Sequence, residues 1–511
     1  MWVDKLAYKI SLTRFKFSKH SKMFEMRISE HFGLDQSQGA LDFIDVELEG
    51  DTRAFVEPRA IRRIESEWAE GCVGLLQDFF KKVLKAVRND DRDRGLDLLE
   101  GLREPNETHL GLSADRPRGS GLGPGLVDRV WEQMRKSEAA KTGLLKDLED
   151  TALVIYGIDV DRISDITTNI IRQPLIDYTQ EMAEHYGIPT AQVGTGHVWN
   201  TATGTWSSEE YGHLPMTPVG PLILVPKVIV RTRLDFNPGE YFRGYILEAL
   251  QNRELSAGTN LVHTLKSGEQ RVYKKDVQKK YFGVNPAIKP ANEETTLEEP
   301  RLLEQYRKDK SKQPFRDPPL SYDDFENLTG APAPDWDSLL AGVVQVPAGS
   351  AAASDYHRAA EKFLTAMFYP SLSAPRIESE LHQGRKRVDI RYTNNGIGGF
   401  FGWAQTNYKP QPYCFVECKN YKGDLKNDAL DQISGRFSKA RGTFGLLLCR
   451  SFKDKARFIQ KCRDTASDDR GFVIVLDDSD LHDLVEARKE DDEHETRAVF
   501  DYMTERFSEI V

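Results

Sequence analysis

Apolar positions recur with helical spacing from Ile61 to Val87, where Ile64, Trp68, Cys72, Leu75, Phe79 and Val83 share one face. The spacing predicts a long amphipathic helix, and Gly143 to Tyr186 predicts two or three more. Strand-like runs at Phe43 to Leu48 and Leu222 to Val230 imply at least one small sheet, with Pro226 pushing the second run toward an edge or a bulge. The N-terminal part therefore reads as mostly helical α+β. The longest apolar stretch, Val219 to Val230, is 12 residues and is broken by Pro221, Pro226 and Lys227. That is well short of the roughly 20 needed to span a bilayer, so no membrane helix is expected.

The pattern after residue 350 is more regular. An amphipathic helix from Tyr356 to Phe368 precedes strands at Arg376 to Leu381, Lys386 to Tyr392 and Tyr413 to Tyr421. A helix from Asn427 to Lys439 and an apolar strand from Phe444 to Cys449 follow, then a helix near Asp454 to Arg463, a strand at Phe472 to Leu476, and acidic helices. The order α-β-β-β-α-β, then α-β-α, predicts an α/β unit built on a mixed sheet with helices on both faces.

Between the two parts, 9 of the 24 prolines fall in the 62 residues from Pro286 to Pro347, among charged runs. This stretch reads equally as a long connector or as an extended arm packed over a domain surface. The expected organisation is a region of unknown fold over 1–285, a Pro-rich connector over 286–350 and a catalytic candidate over 351–511. A chain of 511 residues is longer than one core usually supports, which agrees with that division.

Composition narrows the class. The chain is 29% charged and 39% hydrophobic, an ordinary globular balance that excludes a fibrous or wholly disordered protein. Five cysteines without a CxxC pair suggest neither a disulfide framework nor a thiolate zinc cage. The first residues mix charged with apolar positions and lack a secretory pattern, so a cytoplasmic location without membrane contact is expected.

The chemistry-bearing residues lie on two predicted strands. Asp389 sits between Val388 and Ile390; Glu417 and Lys419 are two apart at the end of the apolar run Phe415-Val-Glu-Cys-Lys. Side chains two apart on a strand share a face. Two carboxylates and an ammonium placed so can hold Mg²⁺ through oxygen ligands and aim a water at a phosphate.

These residues resemble the PD-(D/E)xK nuclease superfamily, with Asp389 on the second core strand and Glu417-x-Lys419 on the third. The Glu-Cys-Lys strand, followed by Asp431-Gln-Ile-Ser-Gly-Arg-Phe, is most similar to the Mrr-type restriction endonuclease branch. The resemblance covers residues 351 to 480; the Pro that often precedes the Asp is replaced by Arg387-Val388. It implies a restriction-endonuclease-like core and catalytic roles for Asp389, Glu417, Lys419 and Gln432. It also implies Mg²⁺, with Mn²⁺ as a substitute, held by Asp389, Glu417 and Glu361 on the first helix; Glu378 or Glu380 are alternatives to Glu361. The Gly- and aromatic-rich stretch Thr393 to Gln411 reads as a hairpin or wedge that touches substrate.

Charge follows the site. Residues 351–450 carry 15 Lys and Arg against 9 Asp and Glu, whereas the formal charge of the whole chain is −10. Arg385, Lys386, Arg387, Lys422, Lys426, Arg436, Lys439 and Arg441 flank the catalytic strands and suit phosphate contacts. In the N-terminal part, Arg116-Pro-Arg-Gly-Ser-Gly-Leu-Gly-Pro-Gly before a helix near Leu126 reads as a flexible turn, and His185, His197 and His213 read as packing residues.

The resemblance thus implies a Mg²⁺-dependent DNA endonuclease, with RNA the alternative polymer, acting in restriction or anti-phage defence as a homodimer or larger assembly, with a partner protein of that system as a further expectation. Two other readings stay open. The fold could be a catalytically silent module binding nucleic acid or a partner protein, or the nuclease could be gated by a ligand on the N-terminal region.

Overall fold

Five strands of the C-terminal part form one sheet in a computed structural model of the chain. The structure describes residues 26–112, 124–207, 210–312, 318–381, 386–408, 411–422, 425, 427–490 and 497–511. We number the strands β1 (Leu372–Leu381), β2 (Lys386–Asn394), β3 (Tyr413–Lys422), β4 (Phe444–Ser451) and β5 (Phe472–Leu476). They lie side by side in chain order. The β1–β2 and β2–β3 pairs are antiparallel; β3–β4 and β4–β5 are parallel, as crossover helices require.

Helix α1 (Ala353–Met367) precedes the sheet, α2 (Gly399–Asn407) is inserted between β2 and β3, and α3 (Asn427–Ser434) joins β3 to β4. Alternation on β2 buries Val388, Ile390 and Tyr392, while β4, covered on both faces, is buried from Phe444 through Arg450. Tyr392 donates from its hydroxyl to the Glu361 carbonyl at 2.9 Å, which puts α1 on that face. Helix α3 ends at Ser434, before Gly435, and is shorter than the spacing through Lys439 predicts.

Helix outweighs strand along the chain, and the strands outside the main sheet form small two- and three-stranded pieces, so the architecture is α+β. The apolar core falls into two clusters. One draws on residues from Ile28 to Phe325 with Tyr369; the other runs from Leu340 to Ile510. The helix expected from Ile61 is split: Pro58–Arg62 is a short turn, and Ser66 caps the long helix Glu67–Arg88 through the Ala69 N–H.

Several sequence expectations are corrected. The run Phe43 to Leu48 is buried but is not a strand; Phe43 makes one isolated bridge to Pro226. Leu222 to Val230 includes a 3₁₀ turn at Lys227–Ile229 and reaches strand geometry only at Val230–Arg231. Apolar content marked burial in both places, but irregular backbone satisfies it as well as a strand does.

The stretch 286–350 is neither an open connector nor an extended arm. It folds into helices Ile288–Glu298, Arg301–Lys312, Tyr322–Thr329 and Trp336–Val344. Their described prolines sit at helix starts and in the turns, and the apolar residues divide between cores: Leu303 and Tyr306 enter the first, Leu340 and Val343 the second. The Gly-rich stretch is the other correction. It is not a hairpin or wedge: α2 buries Phe400 and Phe401, and Trp403 packs at 5.5 Å from Phe507, so these aromatics are core. The turn at Arg116 lies largely outside the described residues.

The two parts meet along α1 and β1. Asp42 accepts the Ala374 N–H at 3.0 Å, Gln405 donates to Glu65 at 2.9 Å, and Arg376 pairs with Glu181. Among the described residues no helix is long and apolar enough to cross a membrane.

Candidate active site

The antiparallel ladder between β2 and β3 ends at Ile390–Val416. One residue further, Asp389 does not continue the pairing. Its Oδ2 accepts the Cys418 N–H at 2.7 Å, so the carboxylate satisfies a donor that the departing strand leaves behind. Parity puts Asp389 and Arg391 on one face of β2, opposite Val388, Ile390 and Tyr392.

On β3 the same alternation sets Phe415, Glu417 and Lys419 against Cys414, Val416 and Cys418. The Phe415 ring lies 6.1 Å from Phe437, just beyond α3, so this face is the one α3 covers. Lys419 Nζ donates to Glu417 Oε1 at 2.6 Å and to Gln432 Oε1 at 2.9 Å. Four of the five residues expected from the sequence, Asp389, Glu417, Lys419 and Gln432, therefore converge.

Glu417 is 1% exposed, and its Oε2 is buried without a hydrogen-bond partner. Burial, together with the neighbouring Asp389 carboxylate, pushes the Glu417 carboxyl above its usual range, against the pull of Lys419 and Arg436. Lys419 serves Oε1, and Oε2 is left as an open buried acceptor beside a second carboxylate.

Glu361 is the fifth, and it goes elsewhere. It accepts from Thr365 at 2.8 Å and lies 3.6 Å from His185 Nε2, on the face of the sheet that carries Tyr392. Glu361 stands beside Tyr392, three residues along β2 from Asp389, and the length of that strand segment separates it from the carboxylate pair. Glu378 is exposed and lies 4.0 Å from Arg387; the Glu380 side chain is outside the described residues. Among the described residues no three His, Cys, Asp or Glu side chains form a group that could hold a metal ion. The site offers two carboxylates where three ligands were expected.

Sequence reasoning passed over His357. One turn before Glu361 on α1, it brings Nε2 to 3.7 Å from Asp389 Oδ2, and its Nδ1 is buried without a partner. Its i−4 spacing from Glu361 was the available signal, since that places both on one helix face. Of the basic residues, Arg436 is buried near Glu417, Arg387 and Lys439 are exposed, and Arg441 donates to the Arg436 carbonyl. The side chains of Arg385, Lys386, Lys422 and Lys426 lie outside the described residues.

The face that carries Asp389 continues into a cleft of about 980 Å³ between the two parts. Arg376 and Arg391, cross-strand neighbours on β1 and β2, form one wall; Glu67, Glu70 and Glu181 stand on the other. Arg391 stacks at 4.8 Å from the Tyr413 ring centroid.

Residues 33–237 match a family model described as a domain of unknown function (DUF8370). No curated protein and no solved structure matches the chain. The matched segment ends before the helices that join the two parts, and the carboxylate cluster lies wholly outside it.

Proposed function

We propose that residues 351–511 form a Mg²⁺-dependent endonuclease of the PD-(D/E)xK type that hydrolyses DNA phosphodiester bonds, working in restriction or anti-phage defence with residues 1–285 sensing or positioning the substrate. The observation that carries this reading is the buried, unpartnered Glu417 Oε2 beside Asp389, joined to Lys419 and Gln432 on one sheet face. The strand order, two antiparallel pairs followed by a parallel one within α-β-β-β-α-β, supports a restriction-endonuclease-like core. A homodimer or larger assembly would let single-strand cutters break both strands.

The donor set suits a hard cation, because both candidate ligands are carboxylates and Mg²⁺ takes one or two of these plus waters and substrate phosphates. When bound, Mg²⁺ supplies charge neutralisation at the phosphate and a more acidic water. Asp389 and Glu417 would hold it. Lys419, kept in place by Glu417 and Gln432, orients the attacking water or counters the charge that develops on the phosphate. Arg436 and the arginines of β1 and β2 supply sequence-independent phosphate contacts.

The test is cleavage of supercoiled and linear DNA by the purified protein with Mg²⁺, with EDTA, and with Asp389→Ala and Lys419→Ala. Metal-dependent nicking that both substitutions abolish supports the reading. Equal behaviour of wild type and variants, with DNA still bound, sinks it in favour of a catalytically silent nucleic-acid or partner-binding module. That second reading draws its support from the two-carboxylate site, which lacks a third protein ligand among the described residues.

A further inference from the structure

Just beyond the matched segment, the chain forms a small module. A hairpin pairs His263–Thr264 with Gln270–Arg271 across a turn at Gly268, whose φ of +84° suits glycine. The helix Lys274–Phe282 follows at once. Val272 and Val277 are buried in the first core, Gln251 donates to the Val272 carbonyl at 2.6 Å, and Phe282 packs at 5.5 Å from Phe242. The module is thus fixed to the body, and its outer surface is held in a defined place.

That surface is cationic. Residues 263–282 carry six Lys and Arg against two Asp and Glu, in a chain whose formal charge is −10. Some of this charge is used internally: Lys280 lies 2.6 Å from Glu254, Lys274 donates to the Arg243 carbonyl at 2.8 Å, and Asp276 lies 3.4 Å from His263. Arg271, Lys275 and Lys279 are different. All three are exposed, and among the described residues none is in ion-pair contact with a carboxylate. Arg271 and Lys275 both lie over the Tyr273 ring, at 5.6 and 5.7 Å from its centroid.

The three are four residues apart. Lys275 and Lys279 are therefore stacked on one helix face, and a like-charge pair at that spacing costs the helix a few tenths of a kcal/mol. The Tyr273 ring offsets part of this cost at Lys275, and a polyanion laid along the row would offset the rest. The aliphatic side chain of the helix, Val277, points inward, and Tyr281, 37% exposed, is tied through its hydroxyl to Glu254, so the helix presents no aliphatic wedge to hydrocarbon. A row of three cations without carboxylate partners among the described residues, two of them over one aromatic ring, suits a phosphodiester backbone better than a lipid surface.

We propose that the module at residues 263–282 is a docking surface for the backbone of duplex DNA, with Arg271, Lys275 and Lys279 as its phosphate contacts. The choice of DNA as occupant rests on the nuclease reading above. The contact is sequence-independent and fixes where the duplex lies on the N-terminal part.

The test uses the full chain carrying Lys419→Ala, in EDTA so that nothing is cut, binding a fluorescent duplex of arbitrary sequence from 50 to 200 mM salt. Adding Arg271→Gln, Lys275→Gln and Lys279→Gln is expected to lower the slope of log affinity against log salt by about 2–3. The loss of affinity across that range becomes roughly 40-fold smaller, equally for unrelated sequences. Lys275→Arg with Lys279→Arg keeps the parent slope, which separates charge from folding. An unchanged slope in the Gln variant overturns the proposal. So does binding to phosphatidylserine vesicles that the Gln substitutions abolish while DNA binding stays intact. If the wild type cuts DNA and the slope is unchanged, the surface alone is wrong; if the parent binds no DNA, the nuclease reading falls with it.

Discussion

The Asp389 carboxylate accepts the Cys418 backbone N–H at 2.7 Å, at the point where β2 and β3 stop pairing. One side chain thus closes the sheet and presents charge to Glu417, its like-charged neighbour. Asp389→Asn keeps an acceptor for the Cys418 N–H and removes the charge. We expect the variant to melt within about 1 kcal/mol of wild type and to lose metal-dependent cleavage. Its Glu417 carboxyl should also titrate lower, because one cause of the upward shift is gone. Carboxyl NMR of the two proteins checks this; an unchanged Glu417 titration contradicts the pairing.

His357 reaches Asp389 from α1 and leaves Nδ1 unbonded. Its ring makes no other side-chain hydrogen bond among the described residues, so stability should change little. If it orients Asp389 for a cation, His357→Gln lowers Mn²⁺ affinity or cleavage about 10–100-fold, the usual effect of losing a partner of a ligand. Calorimetric titration with Mn²⁺ and a thermal melt measure the two quantities separately.

Glu361 is buried against Thr365 and His185, away from the carboxylate pair. Glu361→Ala leaves the Thr365 hydroxyl with the Tyr392 hydroxyl as its partner, removes the carboxylate facing His185, and is expected to cost about 1–3 kcal/mol of stability. Its Mn²⁺ affinity should equal that of wild type. A large fall in affinity without loss of stability would return Glu361 to the metal site.

Lys227 is fully buried where the two parts meet, donating to the Gln38 and Gly39 carbonyls at 3.2 and 3.0 Å beneath the Tyr369 ring. Burial drops its ammonium to about 7, although Asp42 and Glu361 pull the other way; Asp42, itself buried, is raised. Below that pH both folded and unfolded chains carry the proton. Between about 7 and the ordinary lysine value, only the unfolded chain does, so unfolding takes up a proton and stability rises with pH by at most about 1.4 kcal/mol per unit. Lys227→Met should flatten the stability profile on the alkaline side. Denaturant midpoints from pH 7 to 9 test it; parallel curves for the two proteins exclude the shift.

Much of the C-terminal part could be read from residue order alone. Alternation in Val388-Asp-Ile-Arg-Tyr and the apolar run before Glu417 set the strands and put Asp389, Glu417 and Lys419 on them, because strand parity is a local property. The tertiary structure decided what locality does not encode. Glu361 stands one turn further along α1 than His357, beside Tyr392 and not Asp389, a matter of which helix turn meets which strand end. The prolines of 286–350 read as a connector or an extended arm, and only packing against two separate cores showed that the segments among them are helices. The aromatics of Thr393 to Gln411 have the same composition whether they greet a substrate or fill a core, and contact with Phe507 made them core. Apolar runs such as Phe43 to Leu48 set burial, while partners distant in the chain set the backbone shape in which that burial was met.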